Sequence, residues 1–421
     1  MSVPFGSLSL AKAGENIPSI DNIDFFNFNV ILRVDWNVPT NGSVITDDNR
    51  ICESLPTIRK ILNDGCKRIV IISHFGRPNV SKISKLGLQE LPNVSKISLQ
   101  ELPKSVTEKY SWSNYLEKIQ TYFDDPIYFL KDGLSLSTLD TLEKTNYRLY
   151  LLENIRFHDV ETNYQSYPED NNERKIIQQL GDVYVNDAFG CMHRDHLSIC
   201  GIRKQKKAVG YLVEKELAAL KLLTDSKGVK KLAIIGGGKM DDKLPLLEKL
   251  STKMDAIYIC GGNINSILKN DLSEFINQIS SNRAKIYYMC DGLCSQNLNA
   301  IPEYCINRDL SKDKYFFDAG MNSLFELDEL IQQSDLIFWN GTLGVVENNL
   351  YKQGSSVLID RLNKASINGK KVIVGGGDTG GFVNRFNHNF YYITTGGGAT
   401  LEYICNDTLV GLEFLKACIN S

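Results

Sequence analysis

The 421-residue chain has no C-x-x-C pair, no Cys/His cluster at zinc spacing and no Ser in a G-x-S-x-G elbow. These absences leave no support for a structural zinc framework or for hydrolase chemistry of the nucleophile-elbow type. Ten cysteines are scattered, the closest pair being Cys290 and Cys294, so reduced structural thiols are expected. The N-terminal stretch MSVPFGSLSLAKAGENIPS lacks an apolar signal core and the Arg-rich character of a transit peptide, which makes a cytoplasmic location the default expectation. A net charge of −3 argues against broad nucleic-acid binding, so any cationic site must be built by folding. With 43% hydrophobic and 23% charged residues, the composition is that of a globular protein large enough for two domains, with no membrane role required.

Short apolar, β-branched runs recur at 29–34, 68–72, 147–152, 182–185, 231–235, 256–259, 285–289, 335–339 and 371–374. Helical periodicity fills many of the intervals, so the expected fold is α/β, with two doubly wound, mainly parallel, Rossmann-like sheets. Residues 209–223 carry apolar side chains at 209, 212, 213, 217 and 220, which fits an interdomain helix and equally an ordinary core helix. In 78–103 the segment PNVSKIS occurs twice, each time followed by LQEL. This reads as a local tandem duplication in a surface loop, since two copies are too few for a solenoid.

The chemistry sits after the strands. In the first half they run into RVDWNVP, SHFGRP, LLENIRF and VYVNDAFGCMHRDH, and open parallel sheets bind ligands beyond their carboxyl ends. That placement gathers His74, Arg77, Arg156 and Arg194, with Asp35 and Asn37 alongside and Arg50 in the nearby ITDDNR. One arginine is readily a surface residue, but several planar forks together suit a phosphate and a carboxylate. The two histidines of HRDH, spaced i, i+3, lack the carboxylate arrangement of a zinc motif.

In the second half the strands end in glycine: AIIGGGKMDDK, YICGG, VIVGGGDTGG and GGGAT. Such loops let backbone approach a phosphate closely. Lys239 and Lys243 share an i, i+4 spacing, expected to place both ammonium groups on one face of a helix starting at the glycines. Asp378 offers the kind of oxygen that Mg²⁺ shares with nucleotide phosphates. Gly375, Gly377 and Gly380 also match the G-x-G-x-x-G of a dinucleotide fold, but the strand expected near Tyr391 ends in Thr394-Thr395 and glycines instead of the acidic residue that a dehydrogenase needs about 20 positions on, and only about 40 residues follow Gly381, too few for its second βαβ half. An arginine site on one domain and a glycine-lined nucleotide site on the other suggest phosphoryl transfer, with domain closure excluding water.

Taken together, these motifs resemble the phosphoglycerate kinase family. RVDWNVP is similar to the family's RVDFNVP, ITDDNR to ITDDTR, SHFGRP to SHLGRP, LLENIRF to LLENLRF and VNDAFGCMHRDH to NDAFGTAHRAH. GGGKMDDK resembles GGAKVSDK, WNGTLGVVE resembles WNGPMGVFE, and GGGDTGG and TTGGGATLE resemble GGGDTAA and STGGGASLE. Nine motifs in the family's order cover nearly the whole chain.

The resemblance implies a glycolytic kinase that moves phosphoryl between 1,3-bisphosphoglycerate and MgADP, acting as a monomer. It implies a 3-phosphoglycerate site of Asp35, Asn37, Arg50, His74, Arg77, Arg156 and Arg194 in a domain of residues 1–208 completed by a tail at 409–421. Residues 209–224 would be the interdomain helix, and 225–408 the nucleotide domain, with ADP or ATP held by Gly237, Gly238, Lys243, Gly262, Gly320, Asn340, Glu347, Gly377, Asp378 and Thr379. Catalytic roles fall to Arg50, Lys239, Lys243, Gly376 and Gly377, Mg²⁺ to Asp378, and the ribose to Glu347. Departures cluster at the nucleotide side: Cys260 for a glycine, Thr342 and Met321 for prolines, and Gly380-Gly381 for two alanines. They motivate one alternative, a non-catalytic relative that acts as a binding protein.

Overall fold

The computed structural model describes residues 17–78, 102–204, 206–226, 228–238, 240, 243–269 and 272–416. Lys239 and all but the ends of the duplicated segment 78–103 lie outside the described residues. Two compact units divide the chain, the second being Glu216–Thr408 and the first being built from the chain on either side of it. The boundary falls within the helix Tyr211–Asp225, whose Leu212, Val213, Leu217 and Leu220 are buried.

In the first unit the strands are β1 (Asn29–Val34), β2 (Thr40–Asn41), β3 (Val44–Ile45), β4 (Arg68–Ile72), β5 (Ile127–Leu130), β6 (Leu149–Leu152), β7 (Val183–Asp187) and β8 (Lys206–Val209). Six of them form a parallel sheet in the order β5-β6-β4-β1-β7-β8, and β2 and β3 make a separate antiparallel ribbon. The central strand β1, NVILRV, is buried at every position after Asn29, as a strand covered on both faces must be. From β1 the chain winds outward through β4 and comes back to β7 on the other side, so the strand order reverses beside β1. The helix Asn49–Asn63 turns Ile51, Leu55, Ile58 and Ile61 onto the sheet, the spacing of one helical face. The helix Val410–Lys416 closes this unit: Gly411 N donates to Met192 O at 2.9 Å and the Lys207 ammonium lies 3.6 Å from the Phe414 ring centre.

The second unit contains β9 (Lys231–Ile235), β10 (Ala256–Ile259), β11 (Lys285–Tyr288), β12 (Asp291–Ser295), β13 (Glu303–Ile306), β14 (Tyr315–Ala319), β15 (Leu336–Asn340), β16 (Lys371–Gly375) and β17 (Tyr392–Ile393). Its parallel sheet runs β11-β10-β9-β15-β16-β17. Counted within the sheet this is 3-2-1-4-5-6, the order of dinucleotide-binding sheets, with the reversal between β9 and β15. A three-stranded antiparallel sheet, β13-β12-β14, is added to it.

The expected α/β class with parallel sheets is what the chain adopts, and two local expectations need correction. Cys294 and Cys305 are joined in a disulfide, against the expectation of reduced thiols. Cys294 pairs with Glu303 and Cys305 with Gly292 across β12 and β13, so the two cysteines are diagonal neighbours that only the strand register brings together. Among the described residues the helix after the first glycine loop is Leu244–Lys253, with Lys243 as its N-cap and Pro245, which lacks an N–H, in its first turn; the expected pairing of Lys243 with Lys239 lies outside the described residues. Strands β5, β8 and the antiparallel β12 to β14 were not among the apolar runs.

Candidate active site

Strands β6, β4, β1 and β7 are consecutive neighbours, so the segments leaving their carboxyl ends emerge side by side. Asp35 and Asn37 follow β1, His74 and Arg77 follow β4, Arg156 follows β6 and Arg194 follows β7, while Arg50 is the second residue of Asn49–Asn63. Hydrogen bonds tie three of these segments together. Arg50 donates to Asp35 Oδ2 at 2.8 Å and to the Asn37 carbonyl at 3.3 Å. Asn37 Oδ1 accepts from Gly76 N at 2.8 Å, and the Gly76 carbonyl accepts from Arg156 at 2.7 Å. Arg194 Nε donates to His193 Nε2 at 3.1 Å, and Arg77 is exposed. A cavity of about 590 Å³ opens beside Asn37 and Gly76, with Tyr110 and Lys109 on its wall.

The electrostatics of this cluster favour an anion. His74 is buried, and burial together with the fields of Arg33, Arg156, Arg194 and Arg50 holds its pKa well below the usual imidazole range. It is therefore a neutral hydrogen-bonding group near neutral pH. Arg156 is lowered to about 10, first by burial and then by Arg194. A guanidinium lowered by burial and by a cationic neighbour in this way is stabilised when an anion arrives.

Beneath the cluster lies a network that motif reading did not single out. Arg33 is 1% exposed; its Nε donates to Ser198 Oγ at 2.8 Å and its other end lies 3.3 Å from His74 Nδ1. Ser198 in turn donates through Oγ and N to the two oxygens of the buried Glu161, at 2.7 and 2.9 Å. His196 Nδ1 is 3.6 Å from Glu161, so one imidazole of HRDH serves a buried carboxylate. The sequence carried one signal of this: an arginine within the otherwise apolar NVILRV must find a partner when the strand is buried.

In the second unit a cleft of about 570 Å³ is lined by Gly237, Gly238 and Gly262, by Thr342 and Glu347, by Asp378, and by an aromatic wall that includes Tyr315 and Phe317. Backbone meets backbone at its floor. Gly236 N donates to Asn340 O at 2.8 Å and Gly237 N to Thr342 O at 2.9 Å, joining the loops that follow β9 and β15 at the order reversal. Gly237 and Gly341 have φ of +90° and +91°, a region that side-chain-bearing residues rarely adopt.

Five expected nucleotide residues, Gly237, Gly238, Gly262, Glu347 and Asp378, lie on the cleft wall, Glu347 and Asp378 being exposed. Others act from behind. Thr379 Oγ1 accepts from Gly341 N at 3.0 Å, the Asn340 carbonyl holds Gly236, and the Lys243 ammonium donates to the Gly236 carbonyl. Gly376 caps the helix Gly377–Val383 with φ +95°, leaving Gly377 and Asp378 exposed in its first turn. Gly320 is not on the cleft wall: it caps the helix Met321–Gln333, and a Cβ there would lie 2.6 Å from the Asp291 carboxylate. Of the departures, Cys260 is fully buried in the core with its thiol raised to about 12 by burial, Met321 is exposed, and Thr342 reaches the glycine loop through its backbone.

The described residues contain no helix long and apolar enough to cross a membrane. A model of the phosphoglycerate kinase family matches residues 20–406. The chain is 31% identical to the phosphoglycerate kinase of Yarrowia lipolytica over 94% of this chain and 98% of that one. It is 30% identical to the phosphoglycerate kinase of Dictyostelium discoideum, covering 97% and 100%. Among solved structures, phosphoglycerate kinase from Coxiella burnetii superposes with a TM-score of 0.76 at 25% identity, covering 96% of this chain and 100% of that one. The family model, the curated relatives and the solved structure agree along nearly the whole chain, and the chain belongs to the phosphoglycerate kinase family.

Proposed function

We propose that the chain catalyses the reversible transfer of the acyl phosphate of 1,3-bisphosphoglycerate to MgADP, giving 3-phosphoglycerate and MgATP. The observation that carries this reading is the convergence of Arg50, Arg156 and Arg194 on a neutral His74 at four adjacent strand ends. A small ligand with both a phosphate and a carboxylate satisfies such a cluster. Asp35 and Asn37 orient it, Asp35 by fixing Arg50 and Asn37 by fixing the Gly76 backbone. The reacting carboxylate needs no general base, so these side chains work by positioning and by charge neutralisation. Arg50 and Lys239 would stabilise the phosphoryl group in transfer, and Lys243, Gly376 and Gly377 would hold the nucleotide's phosphates.

Asp378 suits Mg²⁺ that arrives with the nucleotide: it is an exposed carboxylate on the cleft wall, beside glycine loops with room for phosphate, and the ion would screen the phosphate charges there. Glu347, exposed on the same wall, is placed to accept from ribose hydroxyls. The test is a crossed pair of variants in steady-state turnover. Arg156→Ala is expected to raise KM for 3-phosphoglycerate about 10- to 100-fold, the loss of a charge-assisted bond or two, with little change for MgATP. Asp378→Ala is expected to do the reverse. Equal effects of either variant on both substrates would contradict the assignment.

A further inference from the structure

The Gly236 carbonyl is buried and is held by two donors of different kinds. One is the Lys243 ammonium; the other is Asn263 Nδ2 at 2.8 Å. Asn263 opens the helix Asn263–Lys269, is completely buried, and also donates its backbone N–H to Gly237 O at 2.8 Å. Its Nδ2 lies 3.5 Å from the Ile235 carbonyl as well, so two acceptors determine which end of the amide faces the loop. Among the described residues the other end, Oδ1, is buried with no hydrogen-bond partner. An apolar side chain of similar shape would avoid that cost, so what the amide contributes is its donor to Gly236.

We propose that Asn263 is a positioning residue for nucleotide binding, one that keeps the Gly236 carbonyl satisfied when Lys243 moves from it to a nucleotide phosphate. The inference rests on the function proposed above, in which Lys243 serves the nucleotide. A phosphate oxygen attracts an ammonium more strongly than a neutral carbonyl does, because the bond is charge-assisted at both ends. If Lys243 were the carbonyl's side-chain donor alone, its departure would strip a buried acceptor, and the nucleotide would have to offset that loss. A carbonyl has two lone pairs, so Asn263 and Lys243 bind it together and Asn263 remains when the lysine leaves. Asn263 thereby makes the lysine exchangeable without unsettling the turn at Gly237.

The test is a double-mutant cycle read by calorimetric titration with MgADP on the full chain. Asn263→Leu is expected to weaken MgADP about tenfold in the presence of Lys243, and less than about twofold in a Lys243→Met background, where no ammonium has to be released. Affinity for 3-phosphoglycerate is expected to stay unchanged in all four proteins. An equal loss in both backgrounds would mark Asn263 as merely structural and overturn the proposal, as would no loss in either. Should Asn263→Leu fail to fold, Asn263→Ser, which keeps a donor, and Asn263→Asp, which replaces it with an acceptor, decide the matter: near-normal binding for Ser with weak binding for Asp is expected, and equally weak binding overturns the idea. An unaltered chain that does not bind MgADP would overturn the proposed function and this inference together, whereas normal binding with an additive cycle overturns the inference alone.

Discussion

Ser198 is a single hydroxyl between two buried charges, and its removal isolates what the network under the arginine cluster contributes. Its Oγ accepts from Arg33 Nε at 2.8 Å and donates to Glu161 Oε1 at 2.7 Å. Ser198→Ala therefore leaves one guanidinium N–H without a partner and Glu161 Oε1 with only His196 Nδ1 at 3.6 Å, while Glu161 Oε2 keeps the Ser198 backbone N–H at 2.9 Å. Hydrogen bonds to charged groups contribute roughly 1.5–3 kcal/mol each, so losing two at a fully buried site is expected to cost about 3 kcal/mol after partial relaxation. Trp36 and Trp112, two of the three tryptophans, are buried in the same unit, so fluorescence during urea unfolding follows the loss. The released Arg33 lies 3.3 Å from His74 Nδ1, so KM for 3-phosphoglycerate is expected to rise with little change for MgATP. A Ser198→Ala protein within about 0.5 kcal/mol of the unaltered chain, the range of a surface substitution, and with normal KM would show that the hydroxyl neither links the two charges nor positions Arg33.

Two other perturbations separate local causes. Gly381 sits in the helix Gly377–Val383 with open space where a Cβ would go, whereas a Cβ on Gly380 would lie 3.1 Å from Ile393. Gly381→Ala is expected to stabilise by about 0.5–1 kcal/mol, seen as a melting temperature raised by about 2–4 °C, and Gly380→Ala to gain nothing; equal gains would refute the packing argument. Burial raises the Asp187 carboxyl to about 7, from its ordinary value of 3.8. Between those values the native state holds the proton that the unfolded chain has lost, so this group's contribution to stability falls as pH rises through that window. Asp187→Asn keeps an acceptor for the Leu212 and Val213 amides, which bond Oδ1 at 2.9 and 3.3 Å. Its urea midpoint relative to the unaltered chain is expected to climb from about pH 4.5 to about pH 7, and a pH-independent difference would contradict the assignment.

The legible part of the fold was the buried parallel strands, because a strand covered on both faces reads as an apolar run. Charge or brevity hid some of the others. β8 begins Lys-Lys, and Lys207 is buried with its ammonium over Phe414, a residue more than 200 positions away. β2 and β3 have two residues each, too few to show a period. At the site, charged residues after strand ends were visible from the order of motifs, since chain direction places them at one edge of the sheet. Arg33, Glu161 and Ser198 were not, because their pairing depends on how β1 and the segments around Glu161 and Ser198 pack, and each looks ordinary alone. The disulfide had the same character, depending on a strand register. Asn263 was hidden among the residues after YICGG because its function lies in two backbone carbonyls, which leave no mark on sequence.

On the proposed mechanism, phosphoryl transfer between a carboxylate and a nucleotide depends on the arginine cluster. The most direct measurement is ATP formation from 1,3-bisphosphoglycerate and MgADP in a coupled assay, by the unaltered chain and by Arg50→Ala. Saturable turnover that requires both substrates is expected from the unaltered chain, with kcat lower by about two orders of magnitude or more in Arg50→Ala while the fold is retained. No ATP formation by a folded unaltered chain, or near-normal kcat without Arg50, would contradict it.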